Sequence, residues 1–279
     1  MLRFAYNTNG LAHHRLLDAL RLVADLGYAG LAITPDVGQL DPQGATPADI
    51  EAVRRLAEDL GLALSVETGA RYLLDPRRKH YPTLLEHEAG ARAQRLDFLR
   101  WAVDLGAELG AEAVSFWSGG RPADVSDEEL WTRLVDGTRA LLGHAQERNV
   151  TLGFEPEPGM FIERPAGFDE LRKRLGTDGA RLGLTLDVGH CLCTGDLPVT
   201  DVIRRYAADL VQVQLDDIRD GVHEHLMFGE GDLDLAGVLT ALRAEGYAGL
   251  AQVELSRDAH RGAWAAETAL ERLRAALLN

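Results

Sequence analysis

The sequence is short of cysteine and of long apolar runs. Its 279 residues include only two cysteines, Cys191 and Cys193, and one intervening residue leaves too short a loop for a good disulfide. This excludes a disulfide-built scaffold and fits a reducing cytoplasm, where we expect the protein to reside. No stretch approaches the roughly 18 apolar residues of a membrane span. The start of the chain, Met1 to Asn7, also lacks an apolar run of signal-peptide length.

Positive charge is scarce as well. The chain carries 29 Lys and Arg residues against 44 Asp and Glu residues, which gives a net charge of −15. Nucleic acids and anionic membrane surfaces attract proteins that present a basic face. The charge balance therefore argues against both partners and favours a small-molecule substrate. It is compatible with either a monomer or a homo-oligomer.

Short apolar segments that alternate with longer amphipathic ones are abundant. Helical patterns lie between the apolar segments, and one helix is predicted to start at Ser126, an N-cap residue followed by three acidic residues. The last helix is predicted from about His260 to Leu278. Strict alternation predicts parallel strands, and strands this apolar suit a sheet that is covered on both faces. The predicted strands are residues 2–7, 30–34, 63–67, 113–117, 151–155, 181–187, 210–215 and 250–255.

Eight strand–helix units in one chain of this length predict an α/β protein with a single (β/α)8 TIM barrel, spanning residues 1–279. A doubly wound open sheet is the alternative. That fold usually places a Gly-rich phosphate turn after its first strand, and the segment from Asn7 to Gly10 is not of the GxGxxG type. The barrel is therefore the favoured prediction.

The longest insertion, residues 69–87, follows the third predicted strand. It contains Lys79, His80 and Tyr81, and is basic and aromatic in an otherwise acidic protein. Long loops in compact domains are often lids or binding loops. A loop that follows a barrel strand lies at the face where TIM-barrel active sites occur. We therefore expect this insertion near the active-site mouth.

Polar residues end the last four predicted strands: Glu155, Asp187, Gln214 and Glu254. In a barrel these strand ends are adjacent around one mouth. Carboxylates repel one another and resist the loss of water, so their convergence calls for a cation. Oxygen ligands favour a hard divalent ion. The alternative for each carboxylate is that it caps the following helix or pairs with an arginine.

The sequence resembles the xylose-isomerase-like TIM barrels over essentially its whole length. That superfamily holds sugar isomerases, ketose 3-epimerases, hydroxypyruvate and inosose enzymes, and the endonuclease IV nucleases. The resemblance rests on four motifs in a fixed order: Phe-Glu-Pro at 154–156, Leu-Asp-Val-Gly-His at 186–190, Phe-Gly-Glu-Gly-Asp-Leu-Asp at 228–234 and Val-Glu at 253–254.

The resemblance implies metal ligands at Glu155, Asp187, Gln214 and Glu254, and Gln214 stands where the family has histidine. A glutamine offers a carbonyl oxygen rather than an imidazole nitrogen. This weakens the binding of soft metals and favours Mn²⁺ or Mg²⁺ over Zn²⁺ or Co²⁺. The replacement of the family histidine by Gln214 also leaves open a metal site with a different arrangement of ligands.

The implied activity is that of a divalent-metal-dependent isomerase or epimerase with a sugar or polyol substrate. In such an enzyme the metal stabilises an enediolate, and Glu155 and Glu254 are the implied acid–base pair. His190 resembles the family's ligand for a substrate hydroxyl. The further candidates for substrate binding are Arg219, Trp117 and His225, for which core packing or a solvated surface is the alternative.

Three other functions stay open. An endonuclease IV-like AP endonuclease would need three metals and histidines on early strands, where this chain offers Thr34 and Trp117 at the ends of the second and fourth. Gln214 motivates a repurposed member that binds a metal or a sugar without turnover. A lyase or dehydratase shares the first proton abstraction with an isomerase.

Overall fold

In a computed structural model, which describes residues 1–278, all eight predicted apolar segments form strands of one parallel barrel. The barrel strands are β1 Arg3–Asn7, β2 Gly30–Ile33, β3 Ala63–Glu67, β4 Val114–Phe116, β5 Leu152–Phe154, β6 Leu182–Asp187, β7 Leu210–Leu215 and β10 Leu250–Val253. They close in the order β1-β10-β7-β6-β5-β4-β3-β2. The predicted (β/α)8 fold is confirmed. The last residue of the predicted domain, Asn279, lies outside the described residues.

Helices connect the strands and cover the barrel from outside. Ser126 caps α4 by accepting a hydrogen bond from the amide of Glu129, as the sequence predicts. The last helix begins at Gly262 rather than near His260, because residues Ser256–Arg261 form a separate 3-10 helix. The α-helices are α1 Leu16–Leu26, α2 Pro47–Leu60, α3 Ala89–Leu109, α4 Asp127–Arg148, α5 Pro165–Leu175, α6 Val188–Thr194, α7 Val199–Tyr206, α8 Leu235–Ala244 and α9 Gly262–Ala276. Among the described residues, none of these helices combines the length and apolarity needed to cross a bilayer.

A two-stranded antiparallel hairpin, β8 (Asp217–Arg219) and β9 (Val222–Leu226), follows β7 outside the barrel. The sequence analysis did not predict it, because these short strands carry mostly polar side chains and show no apolar alternation. The turn itself is Asp220-Gly221, and both residues have positive φ, 54° and 69°. An Asp-Gly pair is a strong sequence signal for a two-residue hairpin turn. The turn could therefore have been predicted from the sequence.

Two glycines pair in register where β5 meets β6: Gly153 lies opposite Gly183. A Cβ atom on Gly153 would lie 2.2 Å from Oγ1 of Thr185 and 2.9 Å from Cγ2 of Val211. The backbone is therefore close-packed at this point, directly below the end of β5.

We expect Gly153→Ala to lower the free energy of unfolding by about 1–3 kcal/mol, the usual cost of overpacking a core. Urea denaturation followed by circular dichroism measures this. Gly143→Ala on α4 is the control, since a Cβ there has no neighbour within 4 Å. It should be neutral or stabilising, because alanine is the better helix former. Equal stabilities of the two variants would contradict the assigned packing.

Candidate active site

A cavity of about 630 Å³ opens at the carboxyl ends of the barrel strands. Its lining includes side chains at or directly after the ends of barrel strands: Thr34, Glu67, Trp117, Glu155, Gln214 and Glu254. The predicted insertion, which lies within residues 68–88 between β3 and α3, adds Lys79 and His80 to one wall. The histidines His190, His223 and His225 form another part of the lining.

The three predicted carboxylates converge at the floor of this cavity, where Glu155 and Glu254 line it and Asp187 lies buried beside them. Glu155, Asp187 and Glu254 each present an oxygen, and these oxygens lie within 4.8 Å of one another. Glu155 and Asp187 are buried, with exposed fractions of 5% and 1%. Their strands are consecutive around the barrel, in the order β10, β7, β6, β5. Glu155 and Glu254 therefore stand at the two ends of an arc that has Asp187 and Gln214 between them.

The alternative roles of these carboxylates, capping of the following helix and pairing with an arginine, are only partly observed. Oδ1 of Asp187 caps α6 by accepting a hydrogen bond of 2.9 Å from the amide of His190. Its other oxygen, Oδ2, is buried and has no hydrogen-bond partner within residues 1–278. In the same described part of the chain, none of the three carboxylates forms an ion pair with an arginine. His190 approaches Glu155 and Asp187 to 3.9 and 3.6 Å, but burial holds the pKa of its imidazole well below the usual value, so it does not offset their charge.

Electrostatics at the floor favours neutral carboxyl groups unless a cation is present. Burial, together with neighbouring acidic groups, raises the pKa of Glu155, Asp187 and Glu254. Close carboxylates in a low dielectric cannot all be ionised at modest cost. A divalent cation among them would reverse this balance and lower their pKa values.

Gln214 is held so that its carbonyl oxygen is free. Its Nε2 donates a hydrogen bond of 2.8 Å to Oε1 of Glu67, while its Oε1 is buried and has no partner among the described residues. Glu67 also accepts hydrogen bonds from the side chains of Asn7 and Thr34. Burial and the nearby Glu254 raise the pKa of Glu67 to about 8, against the lowering effect of these hydrogen bonds. The unpartnered oxygens of Gln214 and Asp187, added to the converging carboxylates, fit a hard divalent cation.

Two of the three lining histidines, His225 and His190, lie close to oxygen atoms of Asp216 and Pro156. Nδ1 of His225 lies 2.6 Å from Oδ2 of the fully buried Asp216. Burial lowers the pKa of His225, but the Asp216 carboxylate outweighs it and raises the pKa to about 10. Nδ1 of His190 lies 3.0 Å from the carbonyl oxygen of Pro156, and its Nε2 lies 3.1 Å from Nε2 of His223. Burial lowers the pKa of His223 to about 4.

Of the four residues predicted to bind substrate, the structure brings three to the cavity. Trp117, His190 and His225 line it. Arg219 does not: it lies on the exposed part of β8, and its guanidinium donates to the carbonyl oxygen of Glu230. The hairpin therefore aims one of its two predicted side chains into the cavity and places the other on the surface.

Three further residues at the site were not predicted. Nδ2 of Asn9 donates to Oε1 of Glu254 at 2.7 Å. Glu157 lies 3.8 Å from His190, and burial with the Glu254 charge raises its pKa to about 8. Asp216 is the partner of His225. Glu157 and Asp216 lie just beyond the ends of β5 and β7, near the predicted residues Glu155 and Gln214. Their place in the chain was therefore a sequence signal, whereas Asn9 had none.

A closed parallel barrel with converging carboxylates at the carboxyl ends of its strands defines a TIM barrel with a candidate divalent-metal site. The family model for the xylose isomerase-like TIM barrels matches residues 20–276. The chain belongs to this family, as its motifs predict.

Similar proteins carry several activities. The 3-dehydroshikimate dehydratase of Pseudomonas putida is 28% identical over 270 residues, which cover 94% of this chain; this chain spans 39% of that protein's length. The L-ribulose-5-phosphate 3-epimerase UlaE of Shigella flexneri is 26% identical over 245 residues, 86% of this chain and 81% of that protein. A crystal structure of the IolI protein with a bound zinc atom shares the fold, with a TM-score of 0.79 and 16% identity over 99% of this chain and 98% of that one. These three similar proteins are thus a dehydratase, an epimerase and a zinc-bound protein of the same fold.

Proposed function

We propose that the protein is a divalent-metal-dependent isomerase or epimerase that removes a proton next to the carbonyl of a sugar, or of a keto derivative of a polyol such as an inosose, and proceeds through an enediolate. The observation that supports this most is the convergence of Glu155, Asp187 and Glu254, in which Oδ2 of Asp187 is buried without a partner, as is Oε1 of Gln214, the residue paired in register with Asp187. Like charges are brought together here at a cost that only a cation or a proton offsets.

Each residue of the proposed site has a role. Asp187, Gln214, Glu155 and Glu254 would hold the metal, which supplies charge stabilisation for a developing oxyanion. Glu155 and Glu254 act as the acid–base pair, because they stand at opposite ends of the arc of strand ends and so reach a bound carbon from different sides. The hydrogen bond from Asn9 keeps the Glu254 carboxylate in place. His190 and His225 bind substrate hydroxyl groups at the cavity wall.

Hydrogen exchange into the substrate tests the proposal at its first step. The protein is incubated in D₂O with Mn²⁺ or Mg²⁺ and a panel comprising L-ribulose 5-phosphate, D-tagatose, an inosose and 3-dehydroshikimate. Proton NMR should show metal-dependent loss of the signal of a carbon-bound proton next to the carbonyl of at least one compound. Absence of exchange in the whole panel, with metal bound, would overturn the proposal.

Dehydration is the second candidate, favoured by the match of 94% of this chain to a 3-dehydroshikimate dehydratase. An epimerase returns the proton and leaves the composition of the substrate unchanged. A dehydratase instead expels the hydroxyl group one carbon further along, and water and an unsaturated carbonyl compound result. The same exchange experiment separates the two, since the unsaturated product absorbs in the ultraviolet.

Metal binding should depend on the identity of residue 214. We expect Gln214→Leu to weaken Mn²⁺ binding about tenfold or more, because it removes a carbonyl oxygen from the proposed ligand set. Gln214→His should shift the preference towards Zn²⁺ and Co²⁺, since an imidazole suits those ions. Calorimetric titration of the three proteins with each ion measures both effects. Unchanged Mn²⁺ affinity in Gln214→Leu would exclude Gln214 as a ligand.

A further inference from the structure

An arginine without a counter-ion is fully buried beside the cavity. Arg95 on α3 has no exposed surface, and within residues 1–278 no carboxylate lies within ion-pair distance of its guanidinium. Nη2 donates a hydrogen bond of 2.8 Å to the carbonyl oxygen of Thr68, and Nη1 has no partner in the described structure. Burial lowers the pKa of Arg95 to about 9. Burying an unpaired charge costs stability. This cost indicates that Arg95 has a role other than stabilising the fold.

The face of the guanidinium is covered by an aromatic ring of the cavity. The Arg95 guanidinium carbon lies 4.2 Å from the centroid of the Trp117 indole and 5.2 Å from that of Phe98. Trp117 follows β4 directly and is 5% exposed, with its accessible part in the cavity lining. Cation–π contacts strengthen when both groups are desolvated. This contact therefore joins α3 to the end of β4.

The same indole contacts the inserted segment. The His80 ring meets Trp117 edge to face, with centroids 5.8 Å apart and an interplanar angle of 84°. His80 is fixed by its own hydrogen bonds, from its amide to the carbonyl oxygen of Arg71 at 2.6 Å and from its ring to the carbonyl oxygen of Gly69. Arg95, Trp117 and His80 thus form a continuous row of contacts from the helix layer to the cavity, which we term the aromatic wall.

We propose that Arg95 is a positioning residue: its guanidinium, stacked on Trp117 and bonded to Thr68, fixes Trp117 and His80 as one rigid wall of the cavity. Arg95 does not itself line the cavity, so it acts through the two lining residues that its guanidinium contacts, Trp117 and Thr68. The inference rests on the proposed function only in treating this cavity as the substrate's. A measurement on Trp117 itself therefore separates a failure of this inference from a failure of the proposed reaction.

Fluorine NMR of protein labelled with 5-fluorotryptophan reads the state of Trp117 directly. The chain has four tryptophans, and loss of one line in Trp117→Phe assigns the resonance. In Arg95→Met, which replaces the cation with an apolar chain of similar length, the Trp117 line should shift and broaden while the Trp131 and Trp264 lines stay in place. The melting temperature should be unchanged or higher, because an unpaired buried charge has been removed.

Two further variants control the result. Arg95→Lys keeps a cation under the indole and should restore the Trp117 line in part. Arg92→Met, one turn earlier on α3, removes an arginine that donates to the carbonyl oxygens of Glu86 and His87 instead, and it should leave the Trp117 line unchanged. An unmoved Trp117 line in Arg95→Met would overturn the proposal. A general change of all lines with a lower melting temperature, or failure of Arg95→Met to fold, would also overturn it, since each shows a purely structural role.

Discussion

Replacing Glu254 with glutamine is expected to abolish turnover while the protein remains folded. Loss of an acid–base group alone costs about 10²–10⁴-fold in rate, and in the proposed site the same substitution removes a metal ligand. Folding should survive, because a glutamine at this position can still accept the hydrogen bond from Asn9. It also removes one of the like charges that repel each other at the cavity floor.

The exchange experiment in D₂O, followed for Glu254→Gln and the parent protein, measures this loss, and a thermal melt by circular dichroism checks the fold. Glu224→Gln is the matched control. Glu224 also lies near the mouth, but its carboxylate is exposed and pairs with Arg257 at 2.6 Å. It should keep its exchange activity, since exposed ion pairs contribute little. Full activity in Glu254→Gln would refute the carboxylate mechanism.

The barrel was predictable because its strands are buried on both faces. Predominantly apolar segments of five to seven residues, separated by amphipathic helices, leave few other folds for the chain. The ends of the strands were predictable for the same reason, since a polar residue directly after an apolar run marks where a strand reaches the rim. Glu155, Asp187 and Glu254 all followed this pattern, and the structure brings them together.

The supports of the site were less predictable, because they depend on contacts between distant segments. Glu67, at the end of the third predicted strand, was expected to face the mouth, but its contact with the amide of Gln214, 147 residues further along the chain, was not predictable. Arg95 occupies a helix position that would suit a solvated arginine equally well, and only the packing of α3 against the barrel buries it. Arg219 shows the converse: proximity to the motifs favoured the site, whereas the hairpin geometry places it on the surface.

The motif at residues 228–234 is explained by one buried carboxylate, Asp217, at the start of the hairpin. Oδ2 of Asp217 accepts hydrogen bonds from the amides of Gly229 and Gly231 at 2.7 and 2.9 Å. Oδ1 accepts from the amides of Leu233 and Ile218, both at 2.9 Å. A Cβ atom on Gly231 would lie 2.4 Å from Oδ1 of Asp217. The loop is therefore wrapped closely around this carboxylate, and the hairpin that carries His225 is attached to it.

Asp217→Ala should consequently lower the free energy of unfolding by about 3 kcal/mol or more, since a buried donor left without its acceptor costs about 1–3 kcal/mol and several are affected. Four backbone donors lose their acceptor at once, at a position where the carboxylate itself is fully buried. Asp217→Asn should be little better, because its amide group would face two of those donors with its own hydrogens. Urea denaturation measures the loss, and hydrogen exchange of the amides of Gly229, Gly231 and Leu233 locates it.

Asp232→Ala separates this effect from a general sensitivity of the loop. Oδ2 of Asp232 accepts a single hydrogen bond of 2.8 Å, from the amide of Asp220 at the exposed hairpin turn. Its deletion should cost only about 1 kcal/mol and should leave the three loop amides protected. If the two alanine variants lost the same stability, Asp217 would not be the centre of the loop. The hairpin, and with it His225, would then be held at the cavity by other contacts.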